Sequence, residues 1–144
     1  MTPEECAAVH EIGHAIAYRA LNDRICRIQL HGRGSGLMTG LVRRSRDTPF
    51  KAALKCLSGP AAEAFFSDTG TFSRSHCRID IEDAARHARD AGVPLELIWR
   101  KAMELVERNQ SDVELLANAL LDYGRLGAMD VERLVGGSWE VPCW

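Results

Sequence analysis

Residues 1–24 carry apolar positions at a helical period, opening at Pro3 with Glu4 and Glu5 near the positive end of the helix dipole and running through Tyr18 to about Leu21. The period then shortens. Residues 25–47 place the β-branched and apolar Ile25, Ile28 and Leu30 before a glycine-rich turn, Gly32 to Gly36, and a second run from Leu37 to Val42, which predicts a hairpin. Residues 48–92 return to helical spacing. One helix is expected from Thr48 to about Phe66, with Gly59 and Pro60 bending or interrupting it, and another from about Asp80 to Gly92 after the loop "TGTFSRSHCR". Residues 93–136 predict further helices over Leu95 to Asn109 and Asp112 to Tyr123 and a short one opening at Asp130. The tail "GGSWEVPCW" is punctuated by Gly and Pro. The expected architecture over 1–144 is a single, mainly helical α+β domain, with a small hairpin beside the first helix and a helical bundle at the C-terminal end.

Composition narrows what such a domain does. With 144 residues and 46% hydrophobic content, the chain can bury a substantial core. A net charge of -2 and a pI near 6.2 leave no basic footprint for nucleic acid. The cluster Arg43, Arg44 and Arg46 reads as a solvated loop. The five cysteines, Cys6, Cys26, Cys56, Cys77 and Cys143, are odd in number and contain no CxxC pair, which argues against a disulfide framework and a cysteine zinc site. A reducing cytoplasm is expected. No apolar run approaches the roughly 20 residues of a membrane span, and the start "MTPEECAAVHE" is too polar for a signal peptide. Without a Gly-Lys-Ser or Gly-Lys-Thr there is no P-loop, and Gly32, Gly34 and Gly36 open no helix, so they are no dinucleotide fingerprint.

The first helix carries the candidate chemistry. In "AAVHEIGHAI", His10 and His14 lie one turn apart on one helix face, so their imidazoles can converge on a single ion, with Glu11 beside them. Zn²⁺ takes neutral imidazole nitrogen readily, and a carboxylate next to a zinc-activated water can take its proton as the water attacks a carbonyl. Two histidines need a third ligand. Asp80 fits as the acid expected to open a helix beside a flexible loop; Glu63 competes, an acid in an apolar segment that must be buried and therefore paired. The remaining histidines, His31, His76 and His87, read as surface or core residues, with His76 the best placed of them for a role at the site. Cys77 reads as a buried thiol, and Trp99, Met38 and Met129 as packing.

Three blocks in order resemble one family. "AAVHEIGHAI" resembles the His-Glu-Ala-Gly-His-Ala helix of the FtsH-type zinc proteases, the peptidase half of membrane-anchored AAA proteases. "LSGPAAEAFF" resembles their Leu-Gly-Gly-Arg-Ala-Ala-Glu-Glu stretch, and "DIEDAARHAR" their Asn-Asp-Ile-Glu-Arg-Ala-Thr-x-x-Ala-Arg segment. The ending "ALLDYGRLGAMDVERLV" is similar to theirs as well, so the likeness covers nearly the whole chain. The resemblance implies a zinc-dependent metalloendopeptidase acting on unfolded or extended polypeptide. In it His10, His14 and Asp80 would hold Zn²⁺, Glu11 would be the general base, and Glu63 would hold a ligand histidine or a backbone group. It implies too that Leu37 to Val42 is an edge strand where Met38, Thr39 and Gly40 bind substrate by backbone pairing.

Departures from the pattern are Pro60 for the family's Arg, Ala64 for its second Glu and Ile79 for the Asn before the third ligand; none is a ligand or the base. With nine residues before His10, the ATPase module and membrane helices are expected to be absent, leaving a separate AAA ATPase and a homo-oligomer as candidate partners. Two other readings compete: a catalytically weak interaction module that keeps the fold, and a repressor-cleaving protease of the ImmA type, which shares the "HEIGH" spelling but continues with a stretch not found here.

Overall fold

The computed structural model describes residues 1–42 and 47–136, and shows a mainly helical α+β fold of six helices and a three-stranded antiparallel sheet. Arg43, Arg44, Arg46, Trp139, Cys143 and Trp144 lie outside the described residues. Helix α1 spans Pro3–Ala20. Thr2 and Glu5 close a capping box on it, the Glu5 N–H donating to Thr2 Oγ1 at 3.1 Å and the Thr2 N–H to Glu5 Oε2 at 2.7 Å, and Pro3 occupies the first turn where no N–H is needed.

Strands β1 (Arg24–Gly32) and β2 (Ser35–Leu41) form the expected hairpin. The turn is tighter than Gly32 to Gly36: Gly32 already pairs with Ser35, and Arg33 and Gly34 make the reversal with φ of 56° and 73°. Two consecutive positive φ values match the right-handed twist of the flanking strands. Gly36 belongs to β2 instead. A third strand, β3 (Arg125–Gly127), pairs with the other side of β1 through Ile28 and Leu126, so β1 is central and β2 is an edge. Three residues between Gly124 and a helix start are too few to show a period of two, which is why the pattern of the chain did not reveal β3.

Helix α2 (Pro49–Phe66) continues through Gly59 and Pro60, so they do not interrupt it. Helix α3 (Arg74–Ala91) begins well before Asp80, because the Ser73 side chain accepts from the His76 N–H and caps the helix there. The polar run Arg74 to His76 hid that start. Helices α4 (Leu95–Arg108), α5 (Gln110–Tyr123) and α6 (Ala128–Val135) complete the C-terminal part. Their apolar residues Ile98, Leu105, Leu116 and Leu120 join Ile12 and Ile16 of α1, Leu54 and Leu57 of α2, and Ile28 of β1 in one buried cluster. Trp99 packs against its edge, its ring 5.5 Å from Phe72, while Met129 is exposed and contributes no packing. Among the described residues no helix is long and apolar enough to cross a membrane.

Candidate metal centre

Helices α1 and α2 meet at glycines. A Cβ on Gly13 would overlap the Ser58 carbonyl oxygen and come within 2.7 Å of Ala62 Cβ, and one on Gly59 would lie 2.5 Å from His14 Nε2 and 2.9 Å from His10 Nε2. Each glycine sits inside a helix, where it costs roughly 1 kcal/mol relative to alanine, and what it provides is the close approach that sets both histidine rings against α2.

The two rings are oriented by acceptors on α2. The His10 Nδ1–H donates to Glu63 Oε2 at 2.5 Å, and the His14 Nδ1–H to the Lys55 carbonyl at 2.8 Å. A neutral imidazole that donates from Nδ1 carries its lone pair on Nε2. Those two Nε2 atoms face each other at 3.0 Å, and Asp80 Oδ2 from α3 closes the triangle at 2.8 Å from His10 Nε2 and 3.2 Å from His14 Nε2. Three acceptors therefore converge with no donor among them.

Only a positive species reconciles that arrangement. Burial opposes charge on His10, but hydrogen bonds to Asp80, Cys77 and Glu63, aided by the charge of Glu11, push its pKa up to about 12. Burial likewise works against an ionised Asp80, and its hydrogen bonds with His10 and His14 overcome it and hold the carboxyl well below the usual range. A proton can bridge one pair of these atoms; a metal ion answers all three. Donors each about 2.0–2.1 Å from a tetrahedral zinc stand roughly 3.3 Å apart, close to the observed edges, and two imidazoles with a carboxylate suit zinc. The donor set fits the metal. Exposure rises from 4% at the His10 side chain through 13% at His14 to 25% at Asp80, so solvent reaches the triangle from the α3 side.

Glu63, 2% exposed, is the hub behind His10. Its Oε2 accepts from His10 Nδ1, from His76 Nδ1 at 3.1 Å and from the Cys77 thiol at 2.9 Å, while Oε1 accepts from the Ser73 N–H at 3.4 Å. Burial would raise Glu63, but the hydrogen bonds from His10 and Cys77 keep it below the ordinary glutamate value. Burial also pushes the Cys77 thiol up to about 11, with His10 acting against that rise and Glu63 with it. His76 and Cys77 are thus part of the polar cluster. His76 is the histidine expected to be best placed and Cys77 the expected buried thiol; their meeting at Glu63 depends on the early start of α3, which a serine cap followed by Cys77, Ala84 and Ala88 on one face signals. His31 is exposed and His87 lies on α3 outside the cluster.

Glu11 is buried on α1 and accepts no hydrogen bond among the described residues. Its Cγ lies 2.9 Å from the place a Cβ on Gly36 would occupy, and Gly40 meets the Tyr18 ring in the same way, so β2 rests on α1 through its glycines. Met38 turns inward and packs partly buried against the core; Thr39 faces out on the edge strand.

With this geometry in view, comparison with known proteins gives one informative likeness. The chain is 30% identical to ATP-dependent zinc metalloprotease FtsH 1 of Symbiobacterium thermophilum, over 90% of this chain. That points to a distant link with the FtsH protease region. The chain spans 28% of the length of that relative. No protein-family model matches the chain.

Proposed function

We propose that the protein is a zinc-dependent metalloendopeptidase that cleaves unfolded or extended polypeptide. The observation that carries this reading is the triangle of His10 Nε2, His14 Nε2 and Asp80 Oδ2, with both Nδ1 protons already committed to Glu63 and the Lys55 carbonyl. The likeness to a zinc metalloprotease supports it. Zn²⁺ held by those three residues would polarise a peptide carbonyl and lower the pKa of a bound water toward 7. Glu11, next along α1 from His10 and accepting no hydrogen bond among the described residues, would take the proton of the attacking water and pass it to the leaving amine. Glu63 holds His10 in the Nδ1–H tautomer and keeps its lone pair on the metal side.

The outer side of β2 offers the backbone groups of alternate residues between Leu37 and Gly40, the segment of Met38, Thr39 and Gly40, to an extended peptide, which gives binding with little sequence preference. Because Gly36 of the same strand abuts Glu11, a peptide paired there runs past the base. Unfolded segments are the natural substrates of such an edge, and a separate AAA ATPase or assembly into a homo-oligomer would feed folded ones to it.

The test is elemental analysis of wild type and Asp80→Ala together with cleavage of unfolded casein. Wild type should hold zinc at one per chain and cleave, and Asp80→Ala should lose both. Zinc retained in Asp80→Ala moves the third ligand elsewhere. Zinc bound without any cleavage replaces the protease reading with that of a binding module.

A further inference from the structure

The other face of His10 carries a second set of metal-ligating atoms. Glu63 Oε2, His76 Nδ1 and Cys77 Sγ, together with His10 Nδ1, all lie within 4.8 Å of one another. From this juxtaposition we infer that Glu63, His76 and Cys77 form a second, sulfur-containing site for a zinc-like divalent cation, separate from the triangle at His10 Nε2. Three donors crowd a single carboxylate oxygen in its absence: His10, His76 and Cys77 all point protons at Glu63 Oε2. One hydrogen bond suffices to orient His10, so orientation alone leaves His76 and Cys77 unaccounted for.

The chemistry of the set is selective. Thiolate, imidazole and carboxylate together favour zinc and its close analogues over calcium or magnesium, which prefer oxygen. Carboxylate and thiolate also cancel a 2+ charge, the condition for holding it where Cys77 is fully buried and Glu63 nearly so. On binding, the Cys77 thiol proton leaves to solvent, and His76 moves its proton from Nδ1 to Nε2, so that Nδ1 becomes a donor to the metal. An entry path exists. A cavity of about 470 Å³ lined by Met1, Cys6, Arg33, Ser75, His76 and Glu63 opens beside the first turn of α1, away from Asp80. Because Glu63 Oε2 is also the acceptor that orients His10 through Nδ1, a cation here draws on the oxygen that positions the first centre, and excess metal acts on hydrolysis through it.

The site does not depend on peptide hydrolysis, and cobalt tells the two centres apart, since the triangle at Nε2 contains no sulfur. Chelator-treated full-length chain should be titrated with Co²⁺, following thiolate-to-cobalt charge-transfer absorption and bound metal per chain. The expected result is two equivalents, one of which brings the charge-transfer band. Cys77→Ser should abolish the band and one equivalent while keeping the other, and His76→Ala should weaken the band-forming equivalent at least tenfold. Asp80→Ala should lose the bandless equivalent and keep the band, which separates failure of this site from failure of the first. Two equivalents without a band in wild type, or a band that survives Cys77→Ser, overturns the assignment. If Cys77→Ser does not fold, the wild-type band and its weakening in His76→Ala decide alone.

Discussion

Two clusters of ionisable groups lie against helix α2, and they are built in opposite ways. At Lys55, 4% exposed, the ammonium donates to Asp23 Oδ2 at 2.5 Å and to Asp47 Oδ2 at 3.1 Å and lies 4.4 Å over the Tyr18 ring. The ammonium there meets carboxylates of the chain itself, although Asp47 Oδ1 is buried without a hydrogen-bond partner among the described residues. At His10, His14 and Asp80 three atoms able to act as acceptors face one another, and a bridging proton answers only one pair of them. The first arrangement ties segments of the fold together; the second has the donor set of a metal site. They are joined through one residue, since the Lys55 carbonyl accepts from His14 Nδ1 while its side chain anchors the segments carrying Asp23 and Asp47.

Substitutions can break this comparison in either direction. The largest effect is expected from Glu11→Gln, which removes the proton carrier and leaves both clusters intact: peptide cleavage should fall by about 10²–10⁴-fold with zinc content unchanged. Loss of zinc along with activity would make Glu11 part of the metal cage. Next comes Lys55→Met, which strands the carboxylates of Asp23 and Asp47 and should cost about 3–5 kcal/mol in denaturant unfolding, equally with and without metal.

The pH dependence of that contribution has a definite sign. Burial lowers the Lys55 pKa, but hydrogen bonds to Asp23 and Asp47 outweigh it and raise it above the ordinary lysine value. The stabilisation is therefore fully present below about 10.5 and lost as pH rises through the higher folded value, so wild type and Lys55→Met should converge in stability at strongly alkaline pH.

Smaller is the effect of Glu63→Gln. An amide still accepts from His10 but carries no charge, and zinc affinity measured by competition with a chromogenic chelator should fall about 10–100-fold with little change in the circular dichroism spectrum. The smallest change belongs to Asp47→Asn, whose longer bond to Lys55 and partial exposure predict a loss of about 1 kcal/mol and full retention of zinc. A large zinc loss in Asp47→Asn would show the two clusters to be one coupled unit.

How much of this was legible in the chain depends on how local each feature is. The four-residue spacing of His10 and His14 is a property of one helix, so it could be read directly. Glu63 could be inferred as buried and paired because an acid in an apolar run has no other solution. Asp80 was picked on the wrong premise of a helix start, since α3 begins at Arg74 and Asp80 lies beyond its first turn. The Lys55 cluster was not visible at all: a lysine reads as a surface residue until tertiary packing brings Asp23 and Asp47 to it. Gly13 and Gly59 carried an unread signal, because a glycine kept inside a helix in spite of its cost marks a close approach. Pro60 shows the reverse, a proline that α2 accommodates without ending.

The pairing of β1 with β3 also sets the order in which the molecule can be built. Residues 27–29 bond to residues 125–127, so nearly the whole described chain must be synthesised before the far side of β1 finds its partner. Until then the nascent hairpin exposes a second unpaired edge, at Ile28 among others, to any neighbouring strand. Contacts so distant along the chain close slowly, and a ribosome-bound or truncated form ending before Gly124 is left with a sticky edge in place of a finished sheet.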